Sequence, residues 1–119
     1  MTETRKKLSL RIGGATPEQR EADVACVLTR AMDHHLCVRW TYNRALMQAA
    51  PQILYRRNGG LYCDAVVTEK NGAKPDEARL ASFKLSGLGH VVLTTETLLP
   101  FGRLDLSDAR YKGGIVAKL

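Results

Sequence analysis

Pro51-Gln52-Ile53-Leu54-Tyr55-Arg56-Arg57-Asn58-Gly59-Gly60-Leu61-Tyr62-Cys63-Asp64-Ala65-Val66-Val67-Thr68 is the stretch that decides the fold. Asn58, Gly59 and Gly60 tolerate the positive φ angles of a tight hairpin and separate two β-prone apolar runs, so two antiparallel strands pair across them. The upstream run is expected to bend or bulge at Pro51, because proline brings no N–H to a ladder. Downstream, a polar connector over 69–78 with Asn71-Gly72 and Pro75-Asp76 reads as an exposed loop. Residues 80–86 then read as a strand with Ala81, Phe83 and Leu85 on one face.

Working outward, residues 36–42 alternate, with Leu36, Val38, Trp40 and Tyr42 on one face and Cys37, Arg39 and Thr41 on the other. Asn43-Arg44 makes a tight turn into a second strand over 46–50 and 52–57. The third strand covers 61–68. Gly87-Leu88-Gly89 interrupts the ladder before a fifth strand over 90–95. Before all of these, Thr16-Pro17 is a helix-start signal, and Val24, Val27, Leu28, Ala31 and Met32 form an apolar stripe on a helix running to about Asp33. The sum is a mainly β chain with one N-terminal α-helix, expected as a small five-stranded antiparallel β-barrel plugged by the helix. Residues 1–15 form a basic N-terminal segment in which Leu8, Leu10 and Ile12 alternate as a short edge strand would. Residues 16–101 form the domain, and 102–119 are either a tail or an extra strand added to the barrel or to a second copy.

A chain of 119 residues suits one domain, and 18 Lys and Arg against 12 Asp and Glu give a net charge of +6 that favours anionic partners. No apolar run approaches the ~20 residues that span a bilayer, so no membrane partner is expected. The three cysteines, Cys26, Cys37 and Cys63, follow no signal-peptide pattern, and a reducing cytoplasm fits them best.

The order of the helix, Val38-Arg39-Trp40-Thr41-Tyr42, Ala50-Pro51, Gly60-Leu61-Tyr62-Cys63 and Phe83-Lys84-Leu85-Ser86-Gly87-Leu88 resembles the WYL domain family over about residues 27–95. That family is named for a Trp-Tyr-Leu triplet in its third strand. The resemblance implies a Sm- or SH3-like barrel of bacterial transcription regulation and phage defence that senses an anionic ligand, in some members single-stranded nucleic acid. It puts Tyr62 in place of the motif tyrosine, Leu61 and Cys63 in place of its neighbours, and Lys84 at an anion-binding arginine. The chain departs from the pattern at Gly87, where a second arginine is usual, and at Met47 or Gln48, near where an arginine commonly precedes the proline. About 35 residues precede the first strand, too few for a helix-turn-helix, so duplex reading through a recognition helix is not expected.

The ligand-binding set expected from basic and aromatic residues is Arg39, Arg44, Tyr55, Arg56, Arg57, Tyr62 and Lys84: guanidinium groups grip phosphates and exposed rings stack on bases. Strand parity sets Tyr62 apart from Leu61 and Cys63, and Lys84 apart from Phe83. No cofactor is called for. His34-His35 lacks metal-ligand spacing with Cys37 or Cys63, and His90 with Cys63 would be a thiolate pair only by accident of folding, so no catalytic residue and no metal is expected. The function so read is a regulatory sensor that binds a single-stranded nucleic acid or a nucleotide and acts on a partner protein. The alternative is a protein-protein interaction or homo-oligomerisation module with no small ligand.

Overall fold

The computed structural model describes residues 16–119; the basic segment and the edge strand expected within 1–15 lie outside the described residues. Helix α1 (Pro17–His34) begins as its sequence requires: Thr16 is extended and its hydroxyl accepts from the Gln19 N–H at 3.1 Å, with Pro17 in the first turn. It ends at His35, in the left-handed region at φ 56°, whose N–H returns to the last turn. Leu28, Ala31 and Met32 are buried and Val24 and Val27 pack beside them, which is the expected stripe. Burial of a side chain such as Leu28 contributes roughly 1.5–3 kcal/mol.

Six strands follow: β1 (Leu36–Tyr42), β2 (Ala45–Arg57), β3 (Gly60–Lys70), β4 (Leu80–Lys84), β5 (Gly89–Thr97) and β6 (Ile115–Lys118). Asn43-Arg44 and Asn58-Gly59 have positive φ at both positions and join β1 to β2 and β2 to β3 as two-residue hairpins. Asn71-Gly72 repeats the geometry at the end of β3, where Lys70 bridges Ala73. The sheet runs β4-β3-β2-β1-β5, all antiparallel, with β6 added to β2.

Three expectations change. There are six strands rather than five, because the C-terminal segment supplies β6. Residues 85–87 turn in a 3-10 helix instead of extending β4. Among the described residues β4 and β5 do not pair, so the sheet is not closed into a barrel. It is nevertheless strongly curled. Trp40 of β1 and Phe83 of β4 stand three ladder steps apart, about 14 Å in a flat sheet, yet their ring centroids are 5.0 Å apart, and Tyr42 meets the same ring at 5.1 Å.

The long β2 changes neighbours midway. Through Ala49 it pairs with β1, and from Ile53 it pairs with β6, so Pro51 falls in the gap between those two partners while β3 still pairs with it through Ala65. The β2–β3 register slips between Pro51 and Ile53, which makes the expected bulge and turns the sheet. The main core lies between α1 and one face of the sheet, around Leu28, Val38, Trp40, Leu54, Cys63 and Phe83. A second, smaller core lies on the opposite face, where Ile53, Tyr55 and Tyr111 are buried and Tyr62 and Leu104 pack against them.

The C-terminal segment closes that second core at short range. The Arg56 N–H donates to the Gly114 carbonyl at 2.9 Å, and a Cβ at Gly113 would sit 2.2 Å from the Arg56 carbonyl oxygen, closer than any side chain can come to backbone. Gly113→Ala is therefore expected to destabilise the fold by about 1–3 kcal/mol, read as a lower urea midpoint. Gly102→Ala, with nothing within 4 Å of the new carbon, should leave the midpoint in place. Equal midpoints for both variants would contradict the close approach.

Candidate functional site

Directly paired residues of a sheet project from the same face, so the register Tyr55↔Tyr62↔Lys84, with Ile53↔Asp64↔Ser82 beside it, builds one outer surface from β2, β3 and β4. Arg57, paired with Gly60, belongs to the same face at its hairpin end. Across this surface runs a 3-10 turn, Ala109–Tyr111, capped by the Asp108 side chain on the Arg110 N–H.

Asp64 is the centre of that surface and has no exposure at all. Its Oδ1 accepts from the Tyr55 hydroxyl at 2.7 Å and from the Ser82 hydroxyl at 2.6 Å. Its Oδ2 accepts from the Tyr111 hydroxyl at 2.6 Å and from Arg110 Nη1 at 3.3 Å. Tyr55 stacks on Tyr62 with centroids 5.9 Å apart and meets Tyr111 edge-on at 4.8 Å. Arg110 also reaches Asp108 at 3.2 Å and lies 5.9 Å from the centre of the Tyr111 ring, which leaves its side chain 35% exposed.

The electrostatics keep every donor protonated. Burial first, and then the Asp64 carboxylate, pushes the Tyr55 phenol up to about 12, against a lowering by the Ser82 hydroxyl. Burial and the hydrogen bond to Asp64 drive Tyr111 up as well. The Arg110 N–H and guanidinium hold Asp108 below the usual carboxylate range. With both oxygens of Asp64 occupied, the cluster acts as a structural anchor carrying one exposed cation, Arg110, at its rim.

The seven residues expected from the sequence divide into separate groups. Arg57, Tyr62 and Lys84 share the outer face, Tyr62 half-buried and the two cations exposed. Tyr55 shares that face but is wholly buried with its hydroxyl on Asp64, so it presents no ring to a stacking base. Arg56 alternates to the opposite face, in register with Leu61. Arg39 pairs with Gln48 and Val92, roughly 30 Å of strand from Arg57, and Arg44 sits in the β1–β2 turn. Thus Arg39 and Arg44 do not join Tyr62 and Lys84. Lys84 leans instead toward the hairpin, its Cε and the Glu21 carboxylate flanking Gly60, while Glu21 accepts from the Leu61 N–H at 3.3 Å. Among the described residues none of Arg39, Arg44, Arg56, Arg57 and Lys84 forms an ion pair, in contrast to Arg79 and Arg110.

Cys63 is fully buried and its thiol is driven up by burial, and no hydrogen bond joins it to His90. Among the described residues no group of three or more His, Cys, Asp and Glu is placed to hold a metal ion, and no helix is long and apolar enough to cross a membrane. The residues that sequence reasoning missed are Asp64, Ser82, Arg110 and Tyr111. Asp64 carried a signal: a carboxylate in mid-strand between Cys63 and Ala65, on the Tyr62 side of the alternation, needs donors from elsewhere. No family model, curated protein or solved structure matches the chain.

The raised phenol of Tyr55 gives a pH signature. A tyrosine that holds its proton more tightly when folded than the ordinary value of 10 stabilises the fold fully below about pH 10, and this is lost as pH climbs toward 12. Denaturant midpoints taken from pH 9 to 12 should fall more steeply for the natural chain than for Tyr55→Phe. Parallel curves would show that Tyr55 is not linked to folding.

Proposed function

We propose that this chain is a WYL-like, Sm/SH3-type regulatory module that binds an anionic ligand, a nucleotide or a short single strand, and passes the signal to a partner protein. The observation that carries the reading is that Arg57 and Lys84 share the face of the half-buried Tyr62 on β2–β3–β4, with Arg110 held over that face by Asp64. Cations at such spacing neutralise successive phosphates, and one open aromatic ring stacks a base. The net charge of +6 draws anions toward it.

The curl that brings Phe83 onto Trp40, and the short 3-10 link from β4 to β5, suit a small barrel of this type. The link between β4 and β5 is only four residues long, 85–88. The absence of a cation at Gly87 and at Met47 or Gln48 shifts the site, on this reading, toward the hairpin end, where Arg57 and Arg110 stand in for those charges.

The test is a titration with a fluorescently labelled oligothymidylate and with ATP. Three phosphate contacts on a single strand predict a fall in affinity of about 20-fold between 50 and 200 mM salt. Arg57→Ala combined with Lys84→Ala should weaken binding at least about tenfold, and Tyr62→Ala should cost about 1–3 kcal/mol of stacking. Arg79→Ala, on an exposed ion pair away from the surface, should change nothing. Failure of both ligands to bind at 50 mM salt would remove this reading.

A further inference from the structure

On the same outer side of the sheet, but beside the middle of β2, the residues after β5 bridge over a cavity of about 290 Å³. Gln52, the bulge residue, holds this bridge. Its buried amide donates to the Leu99 carbonyl at 3.0 Å and to the Ala50 carbonyl at 3.1 Å, and accepts from the Phe101 N–H at 2.9 Å. The bridge is fixed at its start by the Leu98 N–H on the His35 carbonyl at 2.8 Å. One end is therefore tied by a backbone bond and the other by the Gln52 side chain.

Beneath it the floor is made of short side chains, Cys37, Ala50 and Val66, with Ala78 as a side wall, so the space stays unfilled. None of the lining residues is charged, and burial holds the Cys37 thiol neutral. Leu99, which could have filled the space, is 71% exposed at the mouth, an apolar surface that an occupant would cover. The rim offers two hydroxyls: Thr68 is engaged with Gln48, while the Thr97 hydroxyl makes no hydrogen bond among the described residues.

We propose that this cavity is a binding site for a neutral, largely apolar small molecule, an aromatic ring or compact branched alkyl group with at most one polar substituent, seated between the Ala50–Val66 floor and the bridge at Leu99 and Phe101. A charged ligand would lose its hydration there with nothing to replace it, and the volume is that of a small ligand pocket. The site is separate from the cationic face: Ala50 and Arg57 are roughly 23 Å apart along β2.

Indole is the probe, titrated into the isotope-labelled full chain with amide shifts as the readout. Saturable shifts are expected at Ala50, Val66, residues 97–99 and Phe101, with a dissociation constant of about 1 mM or tighter, an ordinary efficiency for about nine heavy atoms. Indole-3-acetate, which adds a carboxylate, should bind at least tenfold more weakly. Ala78→Phe, on an exposed loop where it fills the side wall without entering the core, should also weaken indole at least tenfold. The proposal is overturned if indole gives no saturable shifts up to about 5 mM, if the shifts are not centred on this cavity, if the carboxylate binds as well, or if Ala78→Phe binds indole unchanged.

Discussion

Asp64 sits in the middle of β3 with none of its surface in water, and a carboxylate so placed costs several kcal/mol unless donors replace its hydration. Two of those donors, Tyr55 and Ser82, come from the flanking strands, but the other two, Tyr111 and Arg110, come from a segment some 46 residues away. The C-terminal segment is for this reason part of the fold. Without Tyr111 the buried charge loses a 2.6 Å hydrogen bond and the Tyr55 ring loses its edge-on neighbour. The same C-terminal segment carries the capped turn at Asp108, adds Tyr111 to the second core and pairs β6 with Ile53, Leu54 and Tyr55.

A second constraint acts on β2 from within its own sequence. Pro51 cannot donate to a ladder, and the strand uses the place where it stands to exchange β1 for β6. The extra residue at the bulge, Gln52, is turned out of the ladder and ties down the bridge after β5, while its own carbonyl accepts from the Leu119 N–H. One proline thus separates the strand into a stretch beside the apolar cavity and a stretch on the face of Tyr62, Lys84 and Arg57.

Features set by neighbouring residues were legible in the sequence. Thr16 and Pro17 announced the helix, Asn58-Gly59 the hairpin, Pro51 the bulge, and alternation placed Tyr62 and Lys84 on one face. Features set by partners distant in the chain were not. For Ile115–Lys118 a tail and an extra strand both stayed open, and it is the edge offered by β2 that makes these four residues a strand. The same limit hid the Asp64 cluster, whose donors are scattered over β2, β4 and the C-terminal turn. It also misplaced Tyr55, which has the alternation of a surface residue but is covered by Tyr111. Arg39 looked equivalent to Arg57 until the register set it on β1 beside Gln48, far along β2 from Arg57.

The central claim is that Asp64 binds the C-terminal segment to the sheet, and amide hydrogen exchange on Asp64→Asn tests it most directly. The amide replaces one acceptor oxygen with a donor, leaving a buried hydroxyl without its partner at a cost of about 1–3 kcal/mol or more. Tyr111, Gly114, Leu119 and Arg56, whose N–H groups are bonded within or to that segment, are expected to lose protection while Val38 and Trp40 of β1 keep theirs. Unchanged protection throughout, or an equal loss in β1 and in the C-terminal segment, would contradict it.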